Sequence, residues 1–412
     1  MNKKSFCAVP WTDLSVIPTG HYSMCCVQKQ SEDKNKISMN LPVEQHWNSE
    51  YMRGIRKEIS KGILPSACEG CFLNQSVDLE YRRERMNQRY LGDKDPSLDH
   101  PKVQELLKKT NTNGTYPMNI KGVEIGGDDT CQLRCITCSP SYSRSIIKDY
   151  ERLGWPYERK NRLPTRKDES ASLDTMFKNL KPLIKDLEYI KFVGGEPSIS
   201  KPLLKFMDWC IEHKHADNLV VICNTNGAGK LEPFVEKLKL FKRALIGVST
   251  DGIGELEEWM RYPTNWGRKE KNAKYILKEL PDAFIHSVLC TINAHKLGDL
   301  LEWCTFNQYP FYIERLNWPE ELSICSFPQE VKNSLCKYFD YLIEKYGSTS
   351  YTHPSRMLTS GNLSNFLQKT KTFVANSQNN DTNWKLCVDT ITSYNKIRKT
   401  KLGNINQFYN FL

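Results

Sequence analysis

The segment Cys131-Gln-Leu-Arg-Cys135-Ile-Thr-Cys138 carries three thiols at a C-x3-C-x2-C spacing, directly after the apolar run Ile120 to Ile125. Three thiolates are one short of the four that close a structural zinc site or a fully thiolate-ligated iron–sulfur cluster. Two groups suit three thiols on so short a loop. One is a [4Fe–4S] cube with three irons held and the fourth open to an outside ligand. The other is a zinc ion completed by a distant residue. Only the first leaves a metal position where a small molecule can react.

Further polar motifs follow other strand-like runs. Gly194-Gly195-Glu196-Pro197 comes after one, Asn224-Thr-Asn226-Gly227 after another, and Ser249-Thr-Asp251-Gly252 after a third. Together with the three cysteines these motifs resemble the radical S-adenosylmethionine (SAM) enzymes. More narrowly, the chain is similar to radical SAM proteins with a Twitch/SPASM-type auxiliary-cluster module, over Cys7 to Trp318. The resemblance implies that Cys131, Cys135 and Cys138 hold a catalytic [4Fe–4S] cluster whose open iron SAM chelates through its amino and carboxylate groups. One electron then cleaves SAM to a 5′-deoxyadenosyl radical, which abstracts a substrate hydrogen. Thr137 stands where family members often carry an aromatic residue before the third cysteine.

The resemblance also implies that the backbone of Gly194, Gly195, Glu196 and Pro197 receives the SAM ammonium, with Glu196 ordering the loop. Glycine lets a backbone approach a ligand closely; without the cysteines the same four residues read as a tight strand-to-helix turn. Asn224, Asn226, Ser249, Asp251 and Asn293 fall at later strand ends, where Ser249 and its neighbours could bond ribose hydroxyls or the SAM carboxylate. Asn and Asp are equally ordinary turn formers. Arg261 in Met260-Arg-Tyr-Pro263 suits either a bidentate carboxylate clamp or a surface salt bridge.

A second cysteine constellation lies near the N-terminus. Cys7-x12-Gly20-x4-Cys25 resembles the opening of the SPASM/Twitch signature, and Cys68-x2-Cys71 would complete four ligands of a second, auxiliary [4Fe–4S] cluster. Cys25 fits the glycine spacing better than its neighbour Cys26. Four thiolates would saturate this cluster and suit it to electron transfer or substrate positioning. A four-cysteine zinc site satisfies the same residues. The auxiliary module commonly follows the barrel in the family, whereas here it precedes it.

The elements that must position these residues alternate strand and helix. Strands are expected at Ile120–Ile125, Tyr189–Val193, Leu219–Cys223, Ala244–Ser249, Phe284–Ile292 and Phe311–Leu316, all short and apolar, as when both faces are buried. Amphipathic helices are expected at Pro202–His213, Leu231–Phe241, Arg268–Leu280 and Leu297–Phe306. The fold class is therefore α/β, a partial (β/α)6 TIM-like barrel with the motifs at the strand ends that carry the site. An N-terminal auxiliary module over residues 1–100 precedes the barrel at 116–320, and a mostly helical region occupies 321–412. A hairpin turns at Pro18-Thr-Gly20, a helix spans Glu50 to Ser60, Asp93 to Thr115 includes a linker, and Glu158 to Ser172 forms a loop over the barrel mouth. Val331, Leu335, Phe339, Leu342 and Tyr346 make a core-facing helical stripe. The tail from Ser377 has no readable pattern.

Bulk properties set limits. The 412 residues are 39% hydrophobic and 26% charged, as in soluble globular proteins, and no apolar stretch reaches the length of a membrane span. With no signal-like N-terminus and eight of the fifteen cysteines in tight groups as for metal binding, the cytoplasm is the expected location. The seven scattered cysteines read as core. The net charge of +10 includes two dense groups, Arg82, Arg83, Arg85 and Arg89, and Lys396, Arg398, Lys399 and Lys401. Both read as solvated helix faces, and nucleic acid is not an expected partner.

These readings converge on an enzyme that binds SAM, modifies a peptide or protein, and takes electrons from a donor such as flavodoxin or ferredoxin. A sugar, nucleotide or cofactor precursor is the alternative substrate. A zinc-stabilised nucleic-acid-binding protein is the reading from a different class.

Overall fold

The computed structural model describes residues 6–26, 36–69, 71, 82–155, 172–348 and 363–410. The expected loop from Glu158 lies outside the described residues up to Ser172. Strands are β1 Asp13–Val16, β2 His21–Ser23, β3 Ile37–Ser38, β4 Gly122–Asp128, β5 Tyr189–Gly194, β6 Val220–Thr225, β7 Arg243–Ser249, β8 Phe284–Leu289 and β9 Phe311–Arg315. The longer helices run as α1 Glu50–Ser60, α2 Arg82–Leu91, α3 Pro101–Lys108, α4 Ile147–Leu153, α5 Leu173–Leu180 and α6 Lys201–Glu212. They continue as α7 Glu232–Leu238, α8 Glu255–Met260, α9 Trp266–Glu279, α10 Leu297–Phe306, α11 Gln329–Tyr346, α12 Leu363–Asn376 and α13 Asp381–Arg398.

Strands β4 to β9 pair in sequence order and all in parallel, with helices between them. In β7 every residue from Ala244 to Ser249 is buried, which explains a run with no polar alternation. Leu231, Phe234, Val235, Leu238 and Phe241 are all buried around α7, as their helical spacing requires. The sheet does not end at β4. Its full order is β3-β2-β1-β4-β5-β6-β7-β8-β9, so the ends carried by β3 and β9 leave the barrel open. Strand β1 pairs in parallel with β4, setting Leu14 against Val123, and β1 to β3 form the expected hairpin and one further edge strand. The N-terminal segment thus extends the barrel's own sheet.

Asp93 to Thr115, expected to include a linker, also contains α3, whose Val103 is fully buried. The tail from Ser377 contains α13, in keeping with the expected helical C-terminal region, and the Asn380 side chain caps its start by accepting from the Asn383 amide at 2.9 Å. One expectation needs correcting. The arginine groups are not uniformly solvated. Arg82 and Arg83 of α2 and Arg398 of α13 are all buried, because each has a carboxylate or carbonyl partner inside. The C-terminal stripe is core, with Leu335, Phe339, Leu342 and Tyr346 buried and Val331 half-buried. Of the scattered cysteines, Cys210, Cys223, Cys290, Cys304 and Cys387 are buried, and Cys325 and Cys336 half-buried. Among the described residues no helix is long and apolar enough to cross a membrane.

Candidate active site

Strand β4 shifts register against β5 between Ile125 and Asp128, just before the cysteine loop. The loop that follows is fastened at many points. The Ser143 hydroxyl donates to Leu133 O at 2.8 Å, and that of Ser145 to Cys131 O at 2.5 Å. On its other side the amides of Arg134 and Ile136 donate to Tyr262 O and Met260 O, at 2.6 and 2.9 Å. A short ladder thus joins the cysteine loop to the end of α8.

Cys131, Cys135 and Cys138 all line one cavity of about 460 Å³ at the ends of the parallel strands. The same cavity is lined by Thr137, Gly194, Gly195, Glu196, Pro197, Asn224, Asn226, Ser249 and Arg261. Apolar lining comes from Leu173 and Phe177 of α5, Phe192 of β5 and Val288 of β8, among others. Helix α5 is held there by the N-terminal segment: Asn40 Oδ1 accepts from the Ser172 amide at 2.9 Å, and Asn179 Nδ2 donates to Leu41 O at 2.9 Å.

Glu196 is buried and fully engaged. Its Oε1 accepts from the Ser198 amide at 3.2 Å, the Ser198 hydroxyl at 2.6 Å and the Thr225 hydroxyl at 2.7 Å, while Oε2 accepts from the Asn226 amide at 2.7 Å. Burial pushes its pKa up, against the pull of those donors. One carboxylate therefore stitches the loop after β5 to the end of β6. The two glycines before it face protein backbone. A Cβ at Gly194 would stand 2.3 Å from Asp128 O, and one at Gly195 only 2.2 Å from Thr130 O. The close approach is between two strand ends, and Gly194 also takes a φ of 131°.

Asn226 reaches the cysteine loop directly. Its Nδ2 lies 3.6 Å from Cys131 Sγ, and its Oδ1 accepts from Gln132 Nε2 at 3.2 Å. Arg261 is buried, 2.8 Å from Asp251 Oδ2 and 3.6 Å from Glu257 Oε1, with Nη1 3.9 Å from Cys135 Sγ. Of the two readings of Arg261, the salt bridge is present, but it is buried beside a thiol and not on the surface. Asp251 and Asn293 are not among the lining residues. Asp251 Oδ1 accepts from the Val288 amide at 2.9 Å, and Asn293 Nδ2 donates to Asp251 O and Val288 O at 2.8 and 2.9 Å. They brace the ends of β7 and β8.

Burial, followed by the proximity of Cys135, pushes the Cys131 thiol up to about 12. Neighbouring thiols that resist ionisation together are stabilised as thiolates by metal cations, since binding displaces their protons. The three cysteines fit the open-iron cluster in donor type and in sharing one cavity.

The N-terminal cysteines also come together. Cys7, Cys25, Cys68 and Cys71 line one small cavity with Val9, Pro10, Met24, Ala67, Arg82 and Arg83. Cys26 is exposed and does not line it. Burial, then Cys71, raises the Cys68 thiol to about 12, and burial, then Cys68, raises Cys7 as well. Four thiols in an apolar cage with two arginines fit an anionic four-thiolate cluster. Among the described residues no three His, Cys, Asp or Glu side chains converge as ligands of one metal ion. A cluster distributes its thiolates over several irons and accepts a wider spacing.

Sequence reasoning missed Tyr142, His286 and Trp318, which also line the larger cavity. The serine-rich run Ser139-Pro-Ser141-Tyr-Ser143-Arg-Ser145 after the third cysteine was the available signal for the loop's fastenings. His286 is one residue within β8, and nothing local marks it.

No protein-family model matches the chain, and no curated protein matches it. Among solved structures the chain is similar to anSMEcpe with bound AdoMet and Cp18Cys peptide, at 17% identity and a TM-score of 0.38, over 55% of this chain and 60% of that one. It is also similar to Streptococcus suis SuiB bound to S-adenosylmethionine, at 16% identity and a TM-score of 0.38, over 77% of this chain and 65% of that one. SuiB bound to its precursor peptide SuiA gives 16% identity and a TM-score of 0.37, over 77% and 64%. The chain spans about three fifths of the length of the anSMEcpe structures.

Proposed function

We propose that the protein is a radical SAM enzyme carrying a Twitch/SPASM-like auxiliary cluster, and that it modifies a peptide or protein substrate. The observation that carries this reading is the meeting of Cys131, Cys135 and Cys138 in one 460 Å³ cavity with the Gly194–Pro197 loop, Asn224, Asn226, Ser249 and Arg261. A zinc loop needs none of those strand-end groups. The bound [4Fe–4S] cluster would supply the electron that cleaves SAM to a 5′-deoxyadenosyl radical.

The chain's own residues do the positioning. Cys131, Cys135 and Cys138 hold the cluster, and Asn226 and Arg261 direct N–H groups toward two of the sulfurs. Ser249 and Asn224 offer polar groups to SAM, and the apolar lining from Leu173 to Val288 keeps water from the reacting carbon. Cys7, Cys25, Cys68 and Cys71 hold the auxiliary cluster. The peptide assignment rests on the family resemblance of the motifs; a sugar, nucleotide or cofactor precursor is the competing substrate. SuiB and anSMEcpe are both seen with peptides, which makes peptides the first substrates to try. A donor such as flavodoxin or ferredoxin would supply electrons, and the cytoplasm suits such a reaction.

The test is anaerobic purification with iron, sulfide and zinc quantified, in wild type and a Cys131/Cys135/Cys138→Ala triple variant. About eight irons per chain, falling to about four in the variant, with 5′-deoxyadenosine formed under dithionite by wild type alone, is the expected result. Zinc without iron would end this reading and favour a zinc-stabilised binding protein.

A further inference from the structure

Arg134, the residue just before Cys135, has both its main-chain amide and its carbonyl held by distant parts of the chain. The Arg134 amide donates to Tyr262 O at 2.6 Å, and Arg134 O accepts from Arg398 Nη2 at 2.6 Å. The other Arg398 nitrogen, Nη1, donates to Trp259 O. One guanidinium from α13 therefore joins the cysteine loop to the end of α8, two residues before Arg261, whose own guanidinium approaches Cys135 Sγ.

Arg398 is built into this place. It is buried, with its Cζ 4.4 Å from the ring centroid of Tyr394, 5.2 Å from that of Trp259 and 5.4 Å from that of Tyr262. Trp259 is fixed from the same region, its Nε1 donating to Asn395 Oδ1 at 3.2 Å and Thr400 O at 3.1 Å. A planar guanidinium donates to two carbonyls in fixed directions while its face lies on aromatic rings, an arrangement that the rotatable point charge of a lysine ammonium does not reproduce.

We propose that Arg398 is a positioning residue for the catalytic cysteines: it locks the Cys131–Cys138 loop and the Arg261 segment into one unit, so that the three thiols keep the spacing a cluster needs before any metal arrives. The proposal rests on the radical SAM reading for the purpose of that spacing, while its geometric content can be read without metal.

The experiment compares iron-free wild type, Arg398→Met and Arg398→Lys by timed iodoacetamide labelling and mass spectrometry. Cys336, half-buried on α11, serves as the internal reference. In Arg398→Met the three loop cysteines should label about tenfold faster relative to Cys336, as expected when charge-assisted bonds that close a segment are lost. Arg398→Lys should fall between the two. After anaerobic reconstitution, Arg398→Met should bind about half the iron of wild type, losing the site at residues 131–138 and keeping that at Cys7, Cys25, Cys68 and Cys71.

An unchanged labelling ratio in folded Arg398→Met overturns the proposal, and so does an equal acceleration at Cys336. If Arg398→Met does not fold, Arg398→Lys decides, and a wild-type ratio there overturns it. Wild type without iron defeats the proposed function instead, and leaves the labelling result standing.

Discussion

Arg82 Nη1 stands 2.5 Å from Glu124 Oε2, a buried ion pair between helix α2 and the strand that leads into the cysteine triad. Arg82 also lines the four-cysteine cavity. Glu124 is 3 % exposed, and Lys191 of β5 lies 3.5 Å from the same oxygen. Burial works against its ionisation, but Lys191 and Arg82 hold its pKa down at about 2. The two cysteine sites are therefore tied by a charged contact, as well as by the pairing of β1 with β4.

Removing one partner of such a pair strands the other. Arg82→Met is expected to destabilise the protein by about 3 kcal/mol, whereas Arg82→Met with Glu124→Gln should recover a good part of that loss. Urea unfolding of the two variants beside wild type and Glu124→Gln reads the coupling directly. Equal losses in the single and double variants would show that the pair is not what holds α2.

Glu196→Ala removes the acceptor for the Ser198 amide and hydroxyl, the Thr225 hydroxyl and the Asn226 amide. Leaving several buried donors unmet should lower stability by about 2–4 kcal/mol. Glu196→Gln keeps one acceptor oxygen and should lose less. Equilibrium dialysis with SAM on reconstituted protein should show weaker binding in both.

Gly195→Ala places a methyl 2.2 Å from Thr130 O, a backbone atom that cannot swing aside. The strands must separate there, at an expected stability loss of about 1–3 kcal/mol. The amide of Glu196, which donates to Thr130 O at 2.7 Å, should lose hydrogen-exchange protection with it.

Two histidines make stability depend on acidity. His46, stacked on Tyr22, and His295, stacked on Phe408, are each lowered from 6.5 to about 4 by burial. Below 6.5 the unfolded chain takes up a proton at each ring while the native rings stay neutral until about 4. Stability should therefore fall as pH drops across that window and level off below it, by at most about 3 kcal/mol per ring. Urea midpoints of iron-free protein between pH 7 and pH 4 measure the slope, and His295→Phe should reduce it. A slope unaffected by that substitution would place the proton uptake elsewhere.

Cys68→Ser combined with Cys71→Ser should remove about half the bound iron and leave 5′-deoxyadenosine formation under dithionite near the wild-type rate. Loss of the remaining iron together with 5′-deoxyadenosine formation would mean that the four-cysteine site supports the triad structurally.

The local signals were the readable ones. Six parallel strands followed from short apolar runs and the helix over Glu50 to Ser60 from its apolar stripe, because burial on both faces or on one stripe leaves a mark within a few residues. The cysteine triad and the Gly194–Pro197 loop were legible as spaced motifs. What the sequence concealed are pairings between distant segments. Arg82 and Arg398 lie in basic clusters, and nothing local distinguishes a buried arginine from a solvated one until its partner is in place. Asn293 has the same strand-end setting as Asn226, yet one braces a turn and the other reaches a thiol. Cys25 rather than Cys26 faces the small cavity because β2 and the chain after it set which side chain turns inward.

Arg134 and Arg398 meet across 264 positions of sequence, and this gives the triad a timetable. A ribosome delivers the cysteines early and the arginine late. Until α13 has been made and has docked, the loop lacks the Arg398 clasp. Metal assembly at residues 131–138 should then be an event of the finished chain, whereas Cys7, Cys25, Cys68 and Cys71 can gather while synthesis continues.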